Sequence, residues 1–231
     1  MNNNIIDLTL TLGSDQITPV PGLIEVQTSP LQTHETHARS NTKLTLPTHI
    51  GTHVDAPYHF IESGETLENM PLNKFIGPGL LLDLRKLSNP KTSIKLNDIK
   101  ESLGGTTINP DQIVILFTGW TSSKSGDPDY YTGGPYLSNE AANFLVEQNT
   151  KAVAIDFPID KHPPTPKSTI KDFPVHRILL GAEIPIIENL INLHLLVGKE
   201  FTLSALPLKL KGGDGSATRA VAFINSKFQT T

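Results

Sequence analysis

The chain has 231 residues, of which 37 % are hydrophobic and 18 % are charged, so it is long enough to bury a core and too apolar to be disordered. Its formal net charge of −4 argues against a nucleic-acid partner, whose phosphates would require a basic surface. The chain contains no cysteine, which excludes disulfides, zinc ribbons and thiolate nucleophiles. Any bound metal must therefore be held by His, Asp or Glu.

The N-terminal sequence MNNNIIDLTL has no basic segment followed by an apolar one, so we expect no signal peptide. No apolar run approaches the roughly 20 residues that a membrane-spanning helix needs. We therefore expect a cytoplasmic protein without membrane contact. No linker divides the chain, and we expect a single domain over residues 1–231.

Taken in chain order, short alternating or apolar runs predict strands at 5–12, 41–46, 79–84, 112–117, 152–155 and 218–224. Helices are predicted at 96–103, at 138–148 and at 176–181. Ser138 can cap the first turn of the second helix. The stretch 121–136 is the longest predicted loop, and loops of that length often border a pocket. His34 and His37 are predicted to be solvated, and His194 to be a core or interface residue.

Residues 48–60 read THIGTHVDAPYHF, with four metal-type side chains spaced as H-x3-H-x-D-x3-H. In an extended segment these four side chains would project to one side. Two imidazoles and a carboxylate can hold a divalent ion and leave positions open for water, whose pKa falls to about 7 on binding. We therefore predict that His49, His53 and Asp55 are metal ligands and that His59 moves protons. Histidines that only make ordinary hydrogen bonds are the alternative, which so dense a cluster disfavours.

The segment from His49 to Phe60 resembles the HxGTHxDxPxHF signature of the cyclase-like metal hydrolases, a family that includes bacterial kynurenine formamidases and isatin hydrolases. Further similarity lies at 172–181 (DFPVHRILLG), at 185–190 (PIIENL) and at 213–222 (GDGSATRAVA), so it covers nearly the whole chain. The resemblance implies an α/β fold of the swivelling β/β/α type, with a strand-rich mixed sheet as the core of a single domain.

The resemblance also implies the ligands of a second ion. In two-zinc members the carboxylate that matches Asp55 bridges two ions, and the residues that match His176 and Glu188 hold the second. One or two Zn²⁺ or Mn²⁺ ions per chain are therefore expected. Without the resemblance, we would predict a helix histidine at position 176 and a surface carboxylate at position 188.

One segment departs from the kynurenine formamidase pattern. Those enzymes tend to carry an aromatic residue before an early Pro-Gly-Asp, whereas this chain has Val20 followed by Pro-Gly-Leu. We therefore expect weak recognition of the kynurenine ring, unless Phe60 or Trp120 supplies the aromatic surface.

The expected activity is metal-dependent hydrolysis of the C–N bond of a small amide, formamide or cyclic amide. His59 is the predicted proton carrier, and Glu188 is the alternative base if the second ion is absent. Two rival hypotheses stay open: a metal-dependent lyase or polyketide-type cyclase on the same site, and a metal-binding relative without catalysis. We also expect a homo-oligomer, a dimer or a tetramer. The run Gly212–Gly215 lacks the context of a phosphate loop and is predicted to form a tight turn.

Overall fold

The computed structural model describes residues 4–161 and 169–225. His162, which has no partner at ligand spacing in the sequence, lies outside the described residues. Within the described ranges, no helix is both long enough and apolar enough to cross a bilayer.

A curled, nine-stranded mixed sheet runs through the described chain. In chain order the strands are β1 (Ile5–Asp7), β2 (Gln27–Gln32), β3 (Asn41–Thr45), β4 (His53–Asp55), β5 (Ile76–Asp83), β6 (Ser93–Ile94), β7 (Ile113–Phe117), β8 (Tyr136–Leu137), β9 (Ala152–Ile155), β10 (Ile186–Glu188), β11 (Phe201–Ser204), β12 (Gly215–Ala217) and β13 (Val221–Ile224). The order in the large sheet is β1-β13-β11-β5-β7-β9-β10-β4-β12, and β2-β3 and β6-β8 form separate pairs. The predicted α/β fold with a mixed-sheet core is confirmed.

The centre of the sheet is parallel and buried on both faces. Strands β5, β7, β9 and β10 run parallel, and the strands that flank them on either side pair antiparallel. In β7, Val114 and Leu116 pack into one apolar core, while Ile113, Ile115 and Phe117 pack into another on the opposite face. Because both faces of these central parallel strands are buried, their sequences are continuous apolar runs.

Six helices occur within the described residues: α1 (His34–His37), α2 (Leu96–Leu103), α3 (Trp120–Lys124), α4 (Tyr130–Gly133), α5 (Asn139–Glu147) and α6 (Pro174–Gly181). The predicted cap of α5 is confirmed, because the Ser138 side chain accepts a hydrogen bond from the backbone N–H of Ala141. Helices α2, α5 and α6 bury their apolar faces in the core that receives Val114 and Leu116.

The main differences from prediction occur where tertiary packing overrides local pattern. The first strand ends at Asp7 rather than at residue 12, although Leu8 and Leu10 stay buried. The predicted loop 121–136 contains most of α3 and all of α4. His194 was predicted to be a core or interface residue; it is exposed at the surface, which excludes the core, and the interface stays a prediction.

Strands β2, β10, β11 and β12 were not predicted. Three of them have only three or four residues, which is too short for an alternating pattern to be distinctive. Strand β2 pairs with β3 in a hairpin whose residues are almost all exposed, so it carries no buried stripe. His34 and His37 are exposed, as predicted, on the short helix α1.

Candidate metal centre

Strand pairing brings His53 beside Glu188. Strand β4 carries His53 and Asp55, and its antiparallel register with β10 places Glu188 opposite His53. On its other edge β4 pairs with β12, where Gly215 lies opposite Asp55. All three ionisable side chains are buried. Strands β4 and β10, whose first residues are 133 positions apart in the chain, therefore form the centre of the site.

The backbone around His49 and His59 is bent rather than extended. Gly51 has a φ of +58°, a conformation that side chains with a Cβ rarely adopt, and it turns the chain between His49 and β4. Pro57 begins a 3-10 turn that ends at His59. The four side chains of this segment therefore converge because the chain bends on both sides of β4. The alternation of an extended segment explains only His53 and Asp55, which share one face of β4.

Helix α6 delivers His176 to the same centre. The Asp160 carboxylate accepts hydrogen bonds from the backbone N–H groups of Val175 and His176, both at 3.0 Å, and thereby caps the helix. It also lies 2.7 Å from Nδ1 of His176. Because the carboxylate can only accept, Nδ1 donates and Nε2 of His176 faces the centre. His176 and Glu188, the two residues implied only by the resemblance, are buried together here.

Two carboxylates lie between the imidazoles of His53 and His176. His53 Nε2 lies 3.3 Å from Asp55 Oδ1 and 3.6 Å from Glu188 Oε2. His176 Nε2 lies 3.5 Å from Asp55 Oδ2 and 3.3 Å from Glu188 Oε1. The hydrogen on His53 is fixed by the Gly51 carbonyl, which accepts from Nδ1 at 2.8 Å. Both imidazoles therefore direct Nε2 towards the carboxylates.

His49 and His59 form the other half of the site. Their rings stack with centroids 3.7 Å apart and an interplanar angle of 20°. Nδ1 of His49 lies 2.7 Å from Asp55 Oδ1, and Nε2 lies 3.4 Å from Oδ2 of Asp214. Asp214 belongs to the run Gly212–Gly215 that was predicted to form a tight turn. The chain turns at Lys211 and Gly212, Asp214 lies at a bend beside His49, and Gly215 already begins β12.

The donor set fits a divalent cation. Ligands bound tetrahedrally to zinc at 2.0–2.1 Å are about 3.3–3.5 Å from one another, and the four N–O separations around Asp55 and Glu188 span 3.3 to 3.6 Å. His49 Nε2 and Asp55 Oδ2 are buried without a hydrogen-bond partner among the described residues. Buried polar atoms normally have partners, so such an atom inside a cluster of ligand-type groups indicates a missing positive charge.

The structure brings all six predicted residues together. Two sets of three side chains place their ligand atoms within 4.8 Å of one another: His49 with Asp55 and His59, and His53 with Asp55 and Glu188. His49 and His53 both approach Oδ1 of Asp55, whereas His176 approaches Oδ2. The division into a first set (His49, His53 and Asp55) and a second set (His176 and Glu188 with Asp55) stays a prediction.

Charge and burial shift the pKa values of the site. Burial alone would lower the pKa of His49, but the charges of Asp55 and Asp214 raise it to about 9. Burial likewise opposes the charge of His176, yet the hydrogen bond to Asp160 and the nearby carboxylates of Asp55 and Glu188 raise its pKa well above the usual value. Without an ion, both imidazoles are therefore protonated at neutral pH. Burial lowers the pKa of His59 to about 3, so His59 is neutral there.

A buried polar network around Asn189 supports the turn that precedes strand β4. The Asn189 side chain donates to the Gly51 carbonyl at 2.8 Å and accepts from the Tyr130 hydroxyl at 2.6 Å. The Asn189 carbonyl accepts from the hydroxyl of Thr52 at 2.8 Å. This network ties the turn before His53 to the end of β10. Tyr130 comes from the stretch that was predicted to be a loop near a pocket, and the structure places it directly behind the site.

Sequence reasoning missed three residues that support the predicted ligands. Asp160 and Asp214 lie beside His176 and His49, and Asn189 lies beside the turn that holds His53. Asn189 directly follows Glu188, so the Glu-Asn pair was a local signal that could have indicated it. Asp214 lies in the stretch 213–222 that resembles the family, which could have indicated it too. Asp160 had no such signal, because its partner is distant in the chain.

Aromatic side chains border the His59 and His176 side. The Phe60 ring lies 4.4 Å from that of His59 and 4.7 Å from that of His176, measured between centroids. Phe173 lies 5.7 Å from Phe60. Trp120, the other aromatic considered from sequence, is buried and donates its indole N–H to the Tyr130 carbonyl. Phe60 is therefore the better placed of the two to contact a substrate.

The chain is similar in sequence and in fold to known proteins. The chain matches the cyclase family, described as "Putative cyclase", over residues 6–160. It is 33 % identical to a kynurenine formamidase from Geobacillus thermodenitrificans over 180 residues, which are 77 % of each chain. It is 29 % identical to a kynurenine formamidase from Bacillus anthracis over 218 residues, covering 94 % of this chain and 95 % of that one. Isatin hydrolase A from Labrenzia aggregata, solved with benzyl benzoate bound, superimposes with a TM-score of 0.83 at 26 % identity, covering 96 % of this chain and 94 % of the other.

Proposed function

The chain belongs to the cyclase family, and from that premise we propose that it is a metal-dependent hydrolase of a small amide, formamide or cyclic amide. The observation that carries the proposal is the buried convergence of His53, His176, Asp55 and Glu188 at separations that suit metal ligands. The amide as substrate class rests on relatives that are a kynurenine formamidase and an isatin hydrolase.

Asp55 lies between the two halves of the site and is the proposed bridging ligand. His49 and His53, which both approach its Oδ1, would hold one ion. His176, which approaches its Oδ2, and Glu188 would hold the second. Imidazole and carboxylate ligands suit Zn²⁺ or Mn²⁺. A divalent ion bound here supplies polarisation of the substrate carbonyl and a water molecule of lowered pKa.

His59 is the proposed proton carrier. Its sequence-based assignment rested on an ordinary pKa near neutrality, whereas burial in the folded chain lowers that pKa to about 3. A neutral imidazole can accept a proton from the attacking water and return it to the leaving nitrogen. His59 is therefore neutral when the reaction starts. The proximity of His59 to His49 and Asp55 also makes it a candidate ligand, and the two roles predict different mutant behaviour.

Replacing Glu188 by Gln tests the two-ion arrangement. The amide keeps the size of the side chain but removes its charge, so we expect the zinc content at saturation to fall from two ions to one. A wild-type chain that binds a single ion at saturation would contradict this arrangement. Glu188 would then become the candidate base.

The remaining expectations are supported less directly. A single sheet takes strands from residues 5 to 224, which supports one domain over residues 1–231. A homo-oligomer, a dimer or a tetramer, stays a prediction. Light scattering after size-exclusion chromatography measures that state. A cytoplasmic location and the absence of a nucleic-acid partner stay predictions.

A lyase or polyketide-type cyclase on the same site is the second candidate, favoured by the family's description. Isotope incorporation separates the two. The purified protein is supplied with manganese or zinc and with an aryl formamide, isatin or a lactone in H₂¹⁸O. A hydrolase places one ¹⁸O atom in the carboxylate product. A product formed without ¹⁸O would overturn the hydrolase proposal, and no turnover of any amide by the metal-loaded protein would favour the non-catalytic alternative.

A further inference from the structure

His53 and His176 face the centre of the site in the same way. Each points Nε2 towards the carboxylates of Asp55 and Glu188. Each has Nδ1 bound on the outside to an acceptor, the Gly51 carbonyl for His53 and the Asp160 carboxylate for His176. Metal-binding histidines commonly donate their second N–H to such a partner, which fixes the tautomer and the orientation of the ring.

His49 has the opposite orientation. Its Nδ1 atom lies 2.7 Å from Asp55 Oδ1, whereas Nε2 lies 3.4 Å from Oδ2 of Asp214. Among the described residues, Nε2 of His49 makes no hydrogen bond, and the Asp214 carboxylate is the acidic group at ion-pair distance from it. Asp214 therefore has the position relative to Nε2 of His49 that Asp160 has relative to Nδ1 of His176.

The turn that carries Asp214 is built against the outer edge of His49. A Cβ atom at Gly215 would lie 2.5 Å from Cε1 of His49 and 2.9 Å from Nε2, so only glycine permits this approach. The Asp214 carbonyl accepts a hydrogen bond from the N–H of Ala56 at 2.9 Å, and Gly215 pairs with Asp55 across the β12–β4 ladder. The backbone therefore fixes Asp214 relative to Asp55.

We propose that Asp214 is the positioning residue for His49, accepting the Nε2–H so that His49 offers Nδ1 to the metal. This inference rests on the proposed metal centre and adds a residue to it. When Nδ1 gives its lone pair to an ion, the neutral ring carries its hydrogen on Nε2. The Asp214 carboxylate stabilises that tautomer and holds the ring in place. The centre thus has two histidines bound through Nε2 and one bound through Nδ1.

Nuclear magnetic resonance of the zinc-loaded protein observes the tautomers directly. Two-bond ¹H–¹⁵N correlations of the imidazole rings, assigned with single His→Ala variants, distinguish Nδ1–H from Nε2–H rings. We expect His49 to carry its hydrogen on Nε2, and His53 and His176 to carry theirs on Nδ1. A His49 ring with hydrogen on Nδ1 and zinc on Nε2 would overturn the proposal, because the ion would then lie on the Asp214 side.

The variants Asp214→Ala and Asp214→Asn test whether the Asp214 side chain causes His49 to carry its hydrogen on Nε2. Loss of the residue that accepts the second N–H of a metal-binding histidine lowers metal affinity by roughly 10–100-fold. We expect a loss of that size for Asp214→Ala, together with a mixture of His49 tautomers. Asp214→Asn keeps an oxygen that can accept from Nε2–H, so we expect it to restore the single tautomer and most of the affinity. The exposed Asp111→Asn is the matched control. An Asp214→Ala protein with unchanged tautomer and affinity would overturn the proposal.

The tautomer of His49 and the hydrolysis of amides can be confirmed or contradicted independently of each other. A zinc-loaded protein with the expected tautomers that hydrolyses no amide would retain this inference and remove the hydrolase proposal. An active hydrolase in which His49 binds through Nε2 would do the reverse. Wild-type protein that binds no zinc would overturn both.

Discussion

His176 and Asp160 form a paired unit in which one carboxylate both caps helix α6 and orients a ligand. Asp160 accepts two backbone N–H groups of the helix and the Nδ1–H of His176. Both side chains are buried. The position of the helix and the direction of the His176 lone pair are therefore set by the same group.

We predict that Asp160→Asn loses both metal affinity and stability. An asparagine oxygen can accept from some of the three donors, but its NH₂ group must face another donor and leave a buried N–H unsatisfied, at a cost of about 1–3 kcal/mol. In a domain of this size each kcal/mol lowers Tm by about 2–4 °C. Calorimetry measures the fall in Tm, and a chelator competition measures zinc affinity. Unchanged values, equal to those of the exposed control Asp111→Asn, would show that Asp160 does not orient His176.

We predict that His59→Ala keeps near-normal metal content while kcat falls by roughly 10²–10⁴-fold, as for removal of a positioned acid or base. The fall should appear in kcat more than in KM, because the proton is shared mainly in the transition state. Metal analysis and steady-state kinetics measure the two effects. The exposed His37→Ala is the matched control. Loss of the ion would make His59 a ligand, and full activity would remove it from the mechanism.

We predict that zinc binding releases protons and tightens as pH rises. His49, with a pKa of about 9, and His176, with a pKa well above the usual value, are protonated at neutral pH in the metal-free chain. Each must lose a proton before it can bind the ion. Affinity should therefore rise from pH 6 towards pH 9 and level off above the pKa of His49. Titration calorimetry in buffers of different ionisation enthalpy counts the protons, and a count of zero at pH 7 would contradict these protonation states.

We predict that Phe60→Leu impairs aromatic substrates selectively. The Phe60 ring borders His59 and His176, whereas Val20 is half-buried against the apolar core and offers no ring. An aromatic contact contributes about 0.5–1.5 kcal/mol beyond area burial, so KM for an aryl formamide should rise up to about tenfold. An aliphatic formamide is the control substrate. Weak activity on N-formylkynurenine stays a prediction, and equal effects on both substrates would exclude Phe60 as the aromatic platform.

The ligand segment could be predicted from sequence because its information is local. Residues 49–59 contain four ligand-type side chains within eleven positions, and the strand that holds His53 and Asp55 is part of the same segment. The buried strands β7 and β9 were likewise evident as continuous apolar runs. The sequence pattern of this segment did not predict where its backbone bends. The bends at Gly51 and Pro57, rather than strand alternation, bring His49 and His59 to the centre.

The supporting residues could not be predicted from local pattern because their partners are distant. Asp160 is 16 residues from His176, and Asp214 follows His49 by more than half the chain. Tyr130 lies in a polar, glycine-rich stretch with no periodic pattern, yet it is buried by packing behind Asn189. Such side chains are specified by tertiary contacts, which leave no periodic signal in the nearby sequence.

The most direct test of the account is the rate of amide hydrolysis before and after removal of the metal. The purified protein is stripped with a chelator, assayed with an aryl formamide and with isatin, and assayed again after zinc or manganese is restored, with His53→Ala treated in parallel. We predict that activity disappears on stripping and returns with the ion in wild type, and that His53→Ala recovers neither metal nor activity. Stripped wild-type protein that hydrolyses these amides at the full rate would contradict the account.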